Sequence, residues 1–261
     1  MIVHVSPYDF EIQSIIESDR LTNIIDASIE RDATDETSLL ESASINLETN
    51  SFNKGWYAID VLDNGIRTRL GVFYFTVSST ELNENGFIVY ELDGVSVLYN
   101  ASIDYVTTGF SVVKGNDGVP VIESLLSDCD TKKNIDPFSI SETQTFDDST
   151  TKLAACWSIL RNAGMCIQLT NDGEINIMKI PTSPIKQVTK NGYNLTGSIS
   201  ISDDEVSYQC DLSGRPYDAV FVNLPDFNIT EKTFLIASQS ISLGVSLISD
   251  ETVKEKVYDD E

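Results

Sequence analysis

Two turn signatures leave the middle of this chain little freedom in how it folds. Asp63-Asn64-Gly65 and Asn83-Glu84-Asn85-Gly86 each separate runs rich in β-branched and aromatic residues. An Asn-Gly pair accepts the two positive φ angles of a type I′ turn, whose twist matches the strands it joins. Residues 56–62 and 67–77 are therefore read as one hairpin, and residues 87–92 as the strand returning from the second turn. With 27–31 and 40–47 ahead of them, residues 26–98 read as a meander of four or five strands, the makings of a small barrel or sandwich. Composition agrees: 27 Ile, 20 Val and 21 Thr stand against 10 Ala, and β-branched side chains fit a pleated surface better than a helix.

The charge balance excludes several roles. With 17 Lys and Arg against 41 Asp and Glu, the net charge of the 261 residues is −24. Too few cations remain for a broad phosphate-binding or anionic-lipid surface. A hydrophobic fraction of 41% with 11 Phe and 10 Tyr is too high for a disordered acidic chain. The N-terminus lacks a basic segment followed by an apolar one, and no apolar run approaches the ~18 residues of a membrane span, so neither secretion nor membrane insertion is expected.

Beyond residue 98 the pattern changes. Val121, Leu125 and Cys129 follow i, i+4, i+8 spacing behind Pro120, which predicts a short amphipathic helix over 118–129. Capping residues at 148–151, an apolar stripe of Leu153, Cys156, Trp157 and Leu160, and a terminating Gly164 predict a second helix over 152–164. Residues 165–169 and 174–180 around Asn171-Asp172-Gly173 read as another hairpin. From Pro181 the chain reads as polar and loop-rich until a strand at 219–224, with partners expected at 234–237 and 241–248; residues 250–261 read as a charged tail or fraying helix.

Catalytic signatures are missing. His4, the single histidine, sits in an N-terminal strand pattern, where packing or exposure is the ordinary role. There is no G-x-S-x-G, P-loop, dinucleotide fingerprint or H-E-x-x-H. The acidic runs Asp203-Asp204-Glu205 and Asp259-Asp260-Glu261 do not follow a calcium-loop pattern and read as solvated. Cys129, Cys156, Cys166 and Cys210 fit neither a zinc spacing nor a disulfide scaffold and are expected reduced and largely buried. The sequons at Asn100, Asn194 and Asn228 lack a secretory context. Consecutive Phe73, Tyr74 and Phe75 put apolar bulk on both faces of one strand, so a covered central strand is expected, with Trp56 and Trp157 as core residues; a carbohydrate-binding aromatic platform is the alternative. No catalytic, cofactor-binding or metal residue is nominated.

The order of these pieces resembles the tail hub proteins of tailed phages. The resemblance rests on residues 38–47 (a Leu-Glu-small-small strand), Trp56-Tyr57-Ala58-Ile59, the R-x-x-L-G-x-F/Y-like strand at 67–77, the strand and bend at 90–99, the two helices, the Asp172-Gly173 hairpin and Arg215-Pro216-Tyr217-Asp218 leading into the strand that ends at Val222. It covers roughly residues 20–225. What it implies is a fold that is mainly β with helical insertions (α+β): two small β-barrel-like domains with two short amphipathic helices between strands. Residues 1–110 would form the first β-barrel domain, 111–180 a helical insertion with a β-hairpin, and 181–261 part of the second β-barrel domain and a charged C-terminal tail. The implied role is a structural, non-enzymatic homotrimeric ring at the distal end of the tail, assembled in the host cytoplasm into the virion. It would link the tail tube to distal tail, spike or fibre proteins, need no cofactor, and let DNA pass through its lumen without specific binding. Any lysin or spike activity would be absent or lie on another protein. The competing reading is a cell-wall or glycan-degrading or glycan-binding tail protein. Strand edges left open on residues 27–98 and around 220–222 and 234–236 are expected to pair between copies.

Overall fold

Alternating side chains, tight turns and two helix caps build the elements of this protein, whose computed structural model describes residues 2–34, 40–189, 195–202, 205–210, 212, 214–244 and 247–255, with backbone alone at 195–198 and 210. The N-terminal half contains β1 (Ile2–Asp9), β2 (Ser14–Ile15), β3 (Ile24–Asp32), β4 (Glu41–Glu48), β5 (Gly55–Asp63), β6 (Ile66–Leu82) and β7 (Ile88–Val95). The helical segment follows, with α1 (Tyr99–Ile103), β8 (Ser111–Val112), α2 (Val119–Leu125), β9 (Lys133–Ile135), β10 (Gln144–Thr145), α3 (Lys152–Asn162), β11 (Met165–Leu169) and β12 (Ile175–Lys179). The C-terminal half contains β13 (Lys186–Thr189), β14 (Leu195–Ser202), β15 (Glu205–Cys210), β16 (Ala219–Leu224), β17 (Ile229–Leu243) and β18 (Leu247–Lys254). The protein is mainly β with helical insertions.

Thirteen of these strands form one open sheet running β14-β15-β18-β17-β3-β4-β7-β6-β5-β1-β2, with β16 on β17 and β13 on β16. No barrel closes by hydrogen bonds among the described residues. The sheet instead curls twice. The first curl wraps a core of Ile29, Ile45, Leu47, Ile59, Phe73, Phe75, Leu92 and Ile241; the second wraps Val206, Val220, Val222, Phe234, Ile236 and Val253. β17 belongs to both: its first half pairs with β16 and its second half with β3, while β18 runs along the other side from Leu235. A third core under the helices gathers Leu98, Ile122, Leu126, Leu153, Cys156, Trp157, Leu160 and Ile167.

The Asn64-Gly65 turn has φ of 48° and 81° between the paired residues Asp63 and Ile66, the two positive angles the sequence demands. In the second turn Asn83 Oδ1 accepts from the amides of Asn85 and Phe87, at 3.0 and 2.9 Å. Phe75 lies opposite Gly94, where a Cβ would come within 2.6 Å of its ring, so glycine there lets the ring lie flat over the neighbouring strand. Thr151 caps α3 by accepting from Ala154 N at 3.1 Å, and Gly164 ends it at φ 67°.

Three readings of the sequence need correction. The first seven strands are not a simple meander: β5, β6 and β7 are, but β4 pairs with β7 rather than β5. The local hairpins form through their short turns, and residues 49–54 carry the chain past them, Phe52 stacking on Tyr57 at 5.5 Å. The polar stretch after Pro181 holds three strands, in which Val188, Ile199, Ile201, Val206 and Tyr208 fall at alternate positions of their strands and pack in or against the second core, with polar residues between them. Residues 250–254, read as the start of a charged tail, belong to β18, in which Ser249, Glu251 and Val253 are buried while Asp250 and Lys254 alternate with them on the other face. Residues 256–261 lie outside the described residues. Residues 99–103, to which the sequence pattern assigned no element, form α1.

Candidate functional site

Period-two alternation puts Ala27, Ile29 and Arg31 on one face of β3 and Glu41, Ala43, Ile45 and Leu47 on one face of β4. The last inward position of the first strand and the first of the second are thus charged, and both are buried. Arg31 Nε lies 3.2 Å from Glu41 Oε1, outside hydrogen-bond alignment, so that contact is electrostatic. The same guanidinium donates to Gln239 Oε1 and, at 2.5 Å, to the Leu70 carbonyl. Arg215 enters from the other half and donates to Glu41 Oε1, Asn171 Oδ1 and, at 2.9 Å, the Leu70 carbonyl. Gln239 then donates to Glu251 Oε1 at 2.9 Å, whose other oxygen receives Tyr208 OH at 2.8 Å and Lys186 Nζ at 2.5 Å. Burial pulls the Arg31 guanidinium down to about 10 despite the opposing pull of Glu41.

This chain of groups ties both curled sheets and the Asn171 turn together. Tyr217 adds a second bolt: it is buried at φ 71°, packs 5.8 Å from Trp157 and donates to the Ala33 carbonyl at 3.3 Å. A third knot lies on the outer face of β5, where buried Asp60 accepts from Arg67 Nε and Arg69 Nε, both at 2.9 Å; Arg69 reaches on to Asp172 of the hairpin at 2.5 Å. Of these side chains the sequence marked Trp157 as a core residue, Asp172 as a turn residue and Arg67, Arg69, Arg215 and Tyr217 as parts of motifs, but none as a member of a buried polar junction. The signal that finds them is a charge falling in phase with the apolar positions of its strand.

The residues weighed from the sequence fall elsewhere. His4 lies on β1 beside Arg20 Nη1, 3.1 Å from Nδ1; partial burial, then Arg20, hold it below its ordinary value. With Ile2, Leu21, Ile25 and Leu243 it lines a 390 Å³ cleft where β1 and β3 face each other without closing the curl. Cys129, Cys156 and Cys166 are buried free thiols of the third core, and burial pushes Cys166 up to about 12 and the other two upward as well. The side chain of Cys210, residues Asp203 and Asp204, Asn194 and residues 259–261 lie outside the described residues; Glu205 pairs with Lys254. No cluster of three or more metal-ligating side chains occurs among the described residues. Phe73 and Phe75 face the first core, while Tyr74 faces the opposite way, 5.4 Å from Trp56. Trp157 is a core residue, whereas Trp56 is half-buried and with Tyr74, Tyr99 and Asn100 lines a recess of 270 Å³ that has no carboxylate in its wall. The strands at 220–222 and 234–236 have partners on both sides, so those edges are covered rather than open.

The fold of this strand-rich body is one found among phage tail proteins. No protein-family model and no curated protein matches the sequence. Among solved structures, a 43 kDa tail protein of prophage MuSo2 from Shewanella oneidensis superposes with a TM-score of 0.69 at 9% identity, over 96% of this chain and 95% of that one. A tail protein from Neisseria meningitidis gives 0.67 at 9% identity, over 99% and 100%. The Escherichia coli c3393 protein, described as a component of the type VI secretion system with structural similarity to the T4 tail proteins gp27 and gp5, gives 0.57 at 9% identity, over 92% and 76%.

Proposed function

We propose that this chain is a structural phage tail protein of the hub type, forming a trimeric ring at the distal end of the tail between the tail tube and the tip or baseplate. The observation that carries the reading is the likeness in fold to tail proteins along almost the entire length of both chains. Two curled sheets sharing β17 suit a ring subunit, since each leaves an open side for a neighbour to cover. In this reading residues 1–110 and 181–261 supply the two barrel-like bodies and 111–180 the helical insertion. The ring is part of the virion, binds tube, spike or fibre proteins, carries no catalysis of its own, and its acidic surface keeps passing DNA from adhering.

Size in solution tests this. Light scattering should return about three times 28.8 kDa, alone or with a tail-tube partner; a monomer under both conditions refutes the ring. The competing glycan reading would use the Trp56, Tyr74 and Tyr99 recess, and titration with peptidoglycan fragments that quenches Trp56 fluorescence would favour it.

A further inference from the structure

β6 is 17 residues long, yet β5 accompanies it only as far as Phe75. Residues 76–82 have β7 on one side and, among the described residues, no strand on the other. This overhang exposes 44% of Val77 and 74% of Leu82. The far end of the large sheet is equally bare: among the described residues β14 pairs with β15 and with no second strand. These two stretches, of seven and eight residues, are the longest unpaired edges among the described residues.

Edges of this length are normally guarded by charges or proline, because unpaired amides and carbonyls template further pairing. Here Thr76-Val-Ser-Ser-Thr-Glu81-Leu82 carries one charge and Leu195-Thr-Gly-Ser-Ile-Ser-Ile-Ser202 carries none, in a chain whose net charge is −24. The next bare stretch, at the start of β17, does carry guards, Glu231 and Lys232. We infer that β14 of one copy pairs with the 76–82 edge of the next, an inference that rests on the ring reading above. Copies of so acidic a chain repel one another, and these neutral edges are where strands of two copies meet without placing like charges opposite each other. The two edges match in length and belong to different parts of the molecule, so the contact is heterologous and repeats around a closed ring.

Hydrogen exchange on the full chain, above and below the assembly concentration, reads the backbone directly. In the assembly the amides of 76–82 and 195–202 should both slow. Cysteines introduced as T80C with S200C should form a disulfide between copies, and T80E or S200E should weaken assembly about tenfold or more while circular dichroism and melting temperature stay unchanged. A trimer in which both segments exchange freely and neither Glu variant shifts the equilibrium overturns the edge pairing and leaves the ring standing. A chain that stays monomeric, alone and with tube partners, overturns both. Slowing of 76–82 only on addition of another tail protein also overturns it, by giving that edge a different occupant.

Discussion

Phe73 and Phe75 fill the first curled sheet, whereas the second closes over Lys186 and Glu251. The first core follows from a rule with one variable: every other residue points inward, and whatever is apolar there packs. The second obeys the same alternation but places a carboxylate in it, which is stable only because Lys186, Tyr208 and Gln239 converge on it from three other strands. An apolar core tolerates exchange of one hydrocarbon for another; a buried ionic one depends on each partner.

The sharpest way to break this contrast is to remove one member of each. Phe73→Ala and Glu251→Ala should each destabilise by about 3–5 kcal/mol in denaturant titration, the first through a cavity and the second by removing the buried carboxylate on which Lys186, Tyr208 and Gln239 converge. Conservative exchanges should then separate them. Glu251→Gln keeps the shape and should still cost about 3 kcal/mol, while Leu92→Met, a near volume-conserving change in the first core, should stay below about 1.5 kcal/mol. Equal costs for these two would show that the second core responds to packing alone.

The thiols of the third core sharpen the comparison from another side, being ionisable groups buried in the neutral form. The folded Cys166 thiol is raised to about 12 from an ordinary value of 9.0, so its contribution is complete below pH 9 and is lost as pH rises toward 12. At pH 10 the loss is on the order of 1 kcal/mol, and Cys166→Ala should make that part of the stability profile less steep, Cys129 and Cys156 supplying the rest. Thiol reagents at pH 8 should label Cys129, Cys156 and Cys166 only on unfolding. The smallest effect belongs to the turn: Gly65→Ala, at φ 81° with open space around it, should cost about 1 kcal/mol through backbone strain alone.

Legibility divided along the same line as stability. The hairpins at Asn64-Gly65 and Asp172-Gly173, the cap at Thr151 and both amphipathic helices could be read because turn chemistry, capping and 3.6-residue periodicity act over a few neighbours. β14, β15 and β18 could not, since serine-rich and acidic strands become strands only when a sheet supplies their partners. Arg31 and Glu41 face each other on neighbouring strands, but Arg215 and Glu251 lie far from them in sequence, and nothing local announces that the four share one buried junction.

What the sequence determined by itself was therefore the set of local elements and the alternation that marks inward faces. The tertiary structure alone decided that β4 crosses to β7, that β17 serves two sheets, and which edges stay bare. Those outcomes depend on long-range pairing, where the entropy of closing a loop is offset by contacts with residues as far as 210 positions away, as when Ser240 meets Glu30 across β17 and β3.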